Sequence, residues 1–527
     1  MLWTSCRQPT YTRFPRPLAT ACCCLGIALT LITQIAAAVE RAELLQALDS
    51  ITNGELKKHV EVLADDSFEG REAGSRGGQA AAKYLAKVFE QQGLIPSGDG
   101  GSYFQGFNNW SRNILGRLEG SDQQLKAEVI VIGAHYDHVG YGRQGNSFGP
   151  FGYIHNGADD NASGVAGLLE MLDAVKKLKT PPKRTILFCL WDGEEQGLLG
   201  SRFWISRPTV PLEHVAIYIN LDMIGRLKNK RVEVYGTRTS AGLRRLVSEC
   251  NDAQLDLDFD WRIKEDSDHH PFFAHSIPIL MLHTGLHEDY HRPSDDVHLL
   301  DVDGMKQVAG VTLQCLLRLA DAPKIGKFRE ASRLENNHHR QILEQPVAVQ
   351  PPRFGVPWKK EAGENLKLVF QPPIPGSPAE KAGLRDGDVL LTCDGQEITD
   401  ETRFRWELFA ARGPQVFRVA RKGEKEPREI TITPRGEPIR VGLTWRTDDA
   451  EPSSAILTQI IPGSPAQVAG LQLKDRIYAL NGQSLQGSDE FSKSISALAG
   501  PLEFSIERGG KLQVVKVAVL PVAAASP

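Results

Sequence analysis

Apolar residues fall into two alternating patterns between Glu40 and Leu319. One is the unbroken apolar run, such as Val129–Ile132, which is typical of a strand buried on both faces of a sheet. The other places apolar residues at helical spacing, as from Ala162 to Leu178. The predicted strands span 113–118, 128–133, 185–191, 214–221, 231–235 and 277–281, and the predicted helices span 77–92, 162–178, 198–205, 240–250 and 302–319. This alternation predicts an α/β domain with a mostly parallel central sheet flanked by helices.

The C-terminal third contains an internal repeat. Arg353-Phe-Gly-Val-Pro-Trp358 recurs as Arg440-Val-Gly-Leu-Thr-Trp445, and the ten residues from Pro375 recur from Pro462, both at an offset of 87 residues. Two matches at one offset predict two copies of a small domain, and each copy carries short apolar strands with an Asp-Gly or Asn-Gly hairpin turn. We therefore divide the chain into a leader at 1–38, a first domain at 39–325, a linker at 326–352, and two β-rich repeats at 353–434 and 440–521.

The leader has the pattern of a secretory signal. Arginines precede an apolar run from Leu18 that ends in Ala36-Ala37-Ala38, which predicts export to a periplasmic or extracellular location with cleavage near Ala38. The run is also long enough to stay in place as a single membrane anchor, so membrane association through an uncleaved leader is the open alternative.

Composition narrows the classes of partner. The chain has 527 residues, which is too long for one core, and a formal net charge of −4 without any basic block, which argues against nucleic acid. Outside the leader no Cys-x-x-Cys pair occurs, so a thiolate zinc site is not predicted. The pattern does not pair the four cysteines of this part of the chain, which are Cys189, Cys250, Cys315 and Cys393.

Metal-ligating residue types collect at the ends of the predicted strands and at one helix start. His135, the pair Glu194-Glu195 and Asp222 each follow an apolar run, and Asp160 stands where the helix from Ala162 begins. Open α/β sheets bind ligands beyond the carboxyl ends of their strands, so these side chains are expected to meet. Carboxylates and imidazoles with one shared ligand are what a pair of metal ions bridged by water requires.

Roles within this set follow partly from spacing. His135 is a predicted ligand, and Asp137 is spaced to hydrogen-bond its imidazole. Asp160 can bridge two ions through its two oxygens, and Asp222 completes one site. Of the adjacent glutamates, one can bind metal while the other faces the water.

The remaining ligand is harder to choose, because Ser267–His298 contains seven histidines. His291 precedes a turn bounded by proline, but residue type alone leaves His269, His283 and His287 as alternatives.

Six motifs carry a resemblance that covers about Leu56 to Leu319. They are GAHYDHVG, NGADDNASG, LWDGEEQGLLGS, INLDMIGR, SDHHPF and DYHRPSDD, in this order. Together they resemble the secreted co-catalytic zinc aminopeptidases of the bacterial leucyl aminopeptidase and aminopeptidase S type, whose wider family includes glutamate carboxypeptidase II. The resemblance implies a zinc-exopeptidase fold, two Zn²⁺ per chain, and hydrolysis of the N-terminal bond of peptides with a free amino terminus.

The resemblance also implies a role for each site residue. It makes His135, Asp160 and Asp222 the ligands of one zinc, and it makes Asp160, Glu195 and His291 the ligands of the other. It implies that Glu194 is the general base and that Asp137 orients His135.

The repeats resemble PDZ domains of the type found in bacterial proteases. Phe354–Val356 and Val441–Leu443 match the loop that offers backbone N–H groups to a peptide carboxylate. This implies capture of protein C-termini or extended segments. The alternative is that one or both repeats pack on the first domain and bind nothing.

Three other functions are weighed against an aminopeptidase. One is a single-zinc aminoacyltransferase of the glutaminyl cyclase kind, a second is a dipeptidase or carboxypeptidase on the same fold, and a third is a PDZ scaffold with an inactive peptidase domain. The complete ligand set argues against the cyclase and the inactive scaffold. Oxygen and nitrogen ligands also hold manganese or cobalt, so the choice of zinc rests on the resemblance.

Overall fold

A computed structural model describes residues 41–108, 110–348, 351–361 and 366–521. The predicted leader, 1–38, lies outside these residues. Across the described ranges, none of the helices combines the length and the apolar character that crossing a bilayer requires.

One mixed sheet forms the centre of the first domain. Its strands are β1 (Ile95–Pro96), β2 (Phe104–Phe107), β3 (Ser111–Leu118), β4 (Val129–His135), β5 (Thr185–Trp191), β6 (Val215–Leu221), β7 (Arg231–Tyr235), β8 (Asp256–Asp260) and β9 (Ile279–His283). Their order is β1-β3-β5-β4-β6-β9-β7-β8, with β2 paired to β3. The central pairs β5-β4, β4-β6 and β6-β9 are parallel, which confirms the predicted fold class.

Helices cover both faces of this sheet. They are α1 (Asn53–Leu63), α2 (Arg76–Gln91), α3 (Gly164–Lys176), α4 (Leu199–Ser206), α5 (Leu243–Glu249), α6 (His269–Ala274) and α7 (Val302–Asp321), residues 41–49 are also helical, and α8 (Asn337–Leu343) follows the domain. Because successive side chains of a strand point to opposite faces, Ile130 and Ile132 join the core under α3 and α7. Val129 and Val131 join a second core with residues of α4 and α6. Both faces of the sheet are therefore covered by helices, so a ligand site is expected at the ends of the strands.

The two repeats are separate antiparallel sheets, as predicted. The first contains β10 (Trp358–Glu361), β11 (Lys367–Phe370), β12 (Val389–Cys393), β13 (Gln396–Glu397), β14 (Gln415–Ala420) and β15 (Arg428–Ile432), with helices α9 (Pro378–Lys381) and α10 (Glu401–Ala410). The second contains β16 (Leu443–Asp448), β17 (Glu451–Ile460), β18 (Arg476–Leu480), β19 (Gln483–Ser484), β20 (Leu502–Arg508) and β21 (Lys511–Val517), with helices α11 (Pro465–Val468) and α12 (Ser488–Ala497). The repeated arginines Arg353 and Arg440 donate to backbone carbonyls at the ends of α10 and α12, so they brace the repeats internally.

The second repeat packs on the first domain through buried ion pairs. Asp448 lies 2.8 Å from Arg238 of the first domain and 2.8 Å from Arg476 of its own repeat. Arg244 in α5 pairs with Glu507 at 2.9 Å. These side chains are almost entirely shielded from solvent, so the contact is an integral part of the fold.

Candidate metal centre

Three parallel strands end at the same edge of the sheet and bring ligating side chains there. His135 is the last residue of β4, Asp222 directly follows β6, and Glu194 and Glu195 form a short turn that begins three residues after β5 ends at Trp191. Because β4 lies between β5 and β6, these side chains meet at the centre of the edge.

Asp160 is held at the same edge by the turn that precedes α3. Residues Ala158–Ser163 form a π-helical turn with a cis peptide bond after Asp160. The backbone N–H groups of Asp159 and Asp160 donate to the Asp295 carboxylate at 3.0 Å. The Asp159 carboxylate is occupied elsewhere, since it accepts from Ser163 and from the Gly225 backbone. Asp160, and not Asp159, therefore faces His135 and His291.

Two groups of ligand atoms share Asp160. In the first group, His135 Nε2 lies 3.3 Å from Asp160 Oδ1 and 3.5 Å from Asp222 Oδ1. In the second, His291 Nε2 lies 3.0 Å from both Asp160 Oδ2 and Glu195 Oε2. The atoms of each group lie within 4.8 Å of one another. The structure thus brings together all five residues that the sequence motifs nominate as ligands.

The other histidines considered for the last position lie outside both groups. His287 Nε2 faces Asp159 at 3.2 Å, His283 Nδ1 accepts from the Gly285 backbone, and the His269 ring stacks on Tyr235. His291 is itself covered by the Tyr290 ring, whose centroid is 3.9 Å from that of the imidazole.

One member of the second group was missed in the sequence. His138 is buried, and its Nδ1 lies 2.9 Å from Glu195 Oε1 and 3.7 Å from Asp160 Oδ2. Its position three residues after His135 was the available signal, but spacing beyond a strand end does not fix the direction of a side chain.

Asp137 supports the site in two ways. His135 Nδ1 lies 3.2 Å from the Asp137 backbone carbonyl and 3.7 Å from its carboxylate. The carboxylate accepts from the backbone N–H of Glu194 at 3.1 Å and of Glu195 at 3.4 Å. Asp137 therefore fixes the turn that carries both glutamates as well as contacting His135.

The site carries more negative than positive charge. Burial opposes ionisation of Asp160, but His135 and His291 outweigh it and hold the pKa of this carboxyl well below its usual range. Burial also disfavours a charged His291, yet Asp160 and Glu195 raise its pKa to about 10. Burial, helped by the nearby carboxylate of Glu195, raises the pKa of Glu194 well above its usual value.

The residues fit a pair of divalent cations. Asp160 Oδ2 and His291 Nε2 are buried and lie 3.0 Å apart, but neither forms an aligned hydrogen bond with any described residue, and unpaired buried polar atoms are costly. The donors are carboxylate oxygens and imidazole nitrogens, which are the ligands zinc takes alongside thiolate. Cations at the two groups would satisfy these atoms and offset the excess of carboxylates.

Comparison with known families finds matches in the first domain and in both repeats. Residues 113–316 match peptidase family M28, and residues 369–416 and 429–494 each match the PDZ domain. The first match contains all seven residues assigned to the site by resemblance.

Individual relatives cover parts of the chain. Aminopeptidase YwaD of Bacillus subtilis is 27% identical over 210 residues, which are 38% of this chain and 43% of the relative. A probable glutamate carboxypeptidase of Arthroderma benhamiae is 35% identical over 115 residues, which are 21% of this chain and 14% of the relative. This chain therefore spans less than half the length of these curated relatives. The crystal structure of the LapA aminopeptidase of Legionella pneumophila aligns with 54% of this chain and 75% of its own, at 21% identity and a TM-score of 0.45.

Proposed function

Because the chain carries a peptidase family M28 domain at residues 113–316, followed by two PDZ domains, we propose that it is an exported zinc aminopeptidase. The observation that carries this proposal is the pair of ligand groups that share the Asp160 carboxylate. One residue with an oxygen in each group is the arrangement that a two-metal hydrolase needs.

His135, Asp160 and Asp222 would hold one zinc ion, and Asp160, Glu195 and His291 would hold the other. Bound zinc supplies Lewis acidity toward the scissile carbonyl and makes an attacking water more acidic.

Glu194 belongs to neither ligand group, so it is free to transfer the proton of the attacking water. Its backbone is fixed by Asp137, and burial raises its pKa, so its carboxylate can accept a proton from the water as the new carbon–oxygen bond forms. It then donates that proton to the leaving amine as the carbon–nitrogen bond breaks. One glutamate therefore serves as base and then as acid.

The charge of the site supports substrates with a free amino terminus. Burial is the main cause of the raised pKa of Glu194, and the nearby carboxylates of Glu195, Asp268 and Asp222 raise it further. Glu194 and Asp268 belong to neither ligand group, so their carboxylates remain to attract the α-ammonium of a peptide when cations fill both groups, and a blocked amino terminus lacks this attraction. Release of one residue at a time from the N-terminus follows.

Zinc content and a pair of substrates test this proposal. Purified protein is expected to contain two zinc ions and to cleave a leucine amide with a free amine but not its acetylated form. One zinc ion with cyclisation of an N-terminal glutamine would instead identify a glutaminyl cyclase. Metal-free protein without hydrolysis would identify a scaffold.

The first PDZ domain is the one proposed to bind protein C-termini. Its strand β10 is at the edge of the sheet and pairs with β11, and Lys359 and Lys360 on it are exposed. An open edge strand of this kind can accept an extended peptide as a further strand. Fluorescence polarisation with a library of peptides on the full chain should find ligands whose C-terminal amides bind much more weakly. Equal binding of acid and amide would contradict capture through the carboxylate.

Export is proposed from the leader pattern. Mass spectrometry of the protein recovered from cell fractions should find a mature N-terminus close to Ala38. Recovery of the intact leader in the membrane fraction would replace cleavage with anchoring.

A further inference from the structure

His138 is buried against the second ligand group, and a glycine and a second histidine pack against its ring. Its ring meets that of His291 edge to face, with centroids 5.5 Å apart. Gly157, which has a φ of +56°, passes directly beneath the imidazole, and a Cβ at this position would lie 2.5 Å from His138 Cγ. Any side chain larger than glycine at 157 would therefore clash with the Asp160 carbonyl oxygen, 2.2 Å from that Cβ, and with the His138 ring.

His138 could either bind the metal directly or hydrogen-bond to Glu195, and the contacts of Glu195 distinguish these two roles. Glu195 Oε2 faces His291 Nε2, and Glu195 Oε1 faces His138 Nδ1 at 2.9 Å. His291 Nε2 and Asp160 Oδ2 have no hydrogen-bond partner, as expected of atoms that await a cation. The contacts of His291 Nε2 are as short, at 3.0 Å, but are not aligned as hydrogen bonds, whereas His138 Nδ1 is aligned for a hydrogen bond with Glu195 Oε1. This favours a hydrogen bond to the carboxylate over direct ligation.

The environment of the other ring nitrogen, Nε2, also favours a hydrogen bond from His138 to Glu195. His138 Nε2 is buried and has no hydrogen-bond partner. A proton on Nε2 would be an unsatisfied buried donor, whereas a proton on Nδ1 is satisfied by Glu195. The tautomer with hydrogen on Nδ1 is therefore the less costly one, and in that tautomer Nδ1 has no lone pair to offer a metal.

We propose that His138 is a positioning residue that donates its Nδ1–H to Glu195 Oε1 and so leaves only Oε2 to face the metal. This inference rests on the proposed function, because it concerns the residues toward the second zinc. A carboxylate held through one oxygen cannot rotate to chelate the ion with both. Hydrogen bonds of this kind to metal ligands are worth about 10–100-fold in metal affinity or activity.

Two variants of the full-length chain test the donor role. His138→Phe keeps a ring and removes the donor, and we expect it to weaken one of the two zinc constants by about 10–100-fold while the other stays unchanged. His138→Asn retains an N–H that reaches the same acceptor, and we expect it to restore most of the lost affinity. Zinc constants are measured by competition with a chelator of known affinity. His59→Phe, a change in α1 outside both ligand groups, is the matched control.

The absorption spectrum of the cobalt-substituted protein gives a readout that does not depend on turnover. The donor role predicts that His138→Asn has the spectrum of the wild type, since the ligand set is unchanged. A different spectrum would overturn the assignment in favour of direct ligation. Unchanged zinc constants in His138→Phe, or an equal loss in both variants, would also overturn it. Wild-type protein that binds no zinc would overturn the proposed function itself.

Discussion

Replacing Glu194 with glutamine tests whether the adjacent glutamates have different roles. Glutamine occupies nearly the same volume but cannot take a proton, so the substitution removes the base and little else. The turn should persist, because Asp137 holds it through the backbone N–H groups of residues 194 and 195 at 3.1 and 3.4 Å. Glu194 belongs to neither ligand group, so zinc should stay.

The size of the effect follows from the single role left to Glu194. No hydrogen bond among the described residues involves its carboxylate, so the side chain has no structural bond to lose. General acid–base catalysis contributes about 10²–10⁴-fold. At about 1.36 kcal/mol per tenfold, that is a rise of about 3–5 kcal/mol in the activation barrier. We expect kcat to fall by this factor with two zinc ions still bound.

Glu195→Gln is the matched comparison. Its Oε2 lies 3.0 Å from His291 Nε2 in the second ligand group, so this change should release one zinc ion as well as activity. The assay is zinc content by atomic emission beside steady-state hydrolysis of a leucine amide. A Glu194→Gln protein with kcat within tenfold of wild type would refute the assignment of the base. Loss of zinc from Glu194→Gln would show that it is a ligand.

Three further predictions concern metal and the packing of the second PDZ domain. Chelation should abolish hydrolysis and lower the melting temperature, and added zinc should restore both. The melting temperature changes because each zinc ion, at a free concentration of 100 times its Kd, stabilises the folded protein by about 2.7 kcal/mol. An unchanged melting temperature would contradict a metal centre. Asp448→Ala should lower the free energy of unfolding by about 3–5 kcal/mol, because it leaves Arg476 buried without its nearest partner, and thermal unfolding measures this loss. A change below about 1 kcal/mol would mean that Glu344 takes over from Asp448 as the partner of Arg476. Burial raises the pKa of Glu451 from 4.5 to about 7, so its stabilising contribution is complete below about pH 4.5 and is lost as the pH rises through 7. Glu451→Gln should therefore raise the melting temperature at pH 8 but not at pH 4, and the gain in the free energy of unfolding at pH 8 should be at most about 3 kcal/mol. An equal gain at the two pH values would exclude titration of Glu451 as the cause.

Two strands of the central sheet agree with the predicted bounds at both ends. The bounds of β5 and β7 agree with the predicted ranges, because burial on both faces leaves an unambiguous apolar run in β5 and turn residues flank β7. Strand β8 was not predicted, although its Asp-Leu-Asp-Phe-Asp sequence alternates, since an edge strand leaves one face to solvent and reads as a polar segment. Helix α3 begins two residues later than predicted, because periodicity of apolar residues does not register the π-helical turn before it.

Contacts between distant segments were beyond the reach of the sequence. Arg238 and Asp448 are 210 residues apart, and each reads as an ordinary surface charge until the second repeat packs on the first domain. Family motifs supplied what local pattern could not at His291, whereas residue type alone also allowed His269, His283 and His287. His138 had no such motif role and became visible only through its distance to Glu195.

The different roles proposed for the two glutamates depend on residues that follow a neighbouring strand. Glu194 and Glu195 follow β5 and are adjacent in sequence, so nothing in their own segment distinguishes them. The residues just after β4 do: Asp137 fixes the backbone of both glutamates, and His138 lies at hydrogen-bond distance from Glu195 alone. The side chain left without such a contact is Glu194, and burial raises its pKa. If this reasoning holds, removing the His138 donor should let Glu195 reorient while Asp137 keeps the Glu194 backbone in place, so zinc affinity and proton transfer would be separable by mutation at positions 138 and 194.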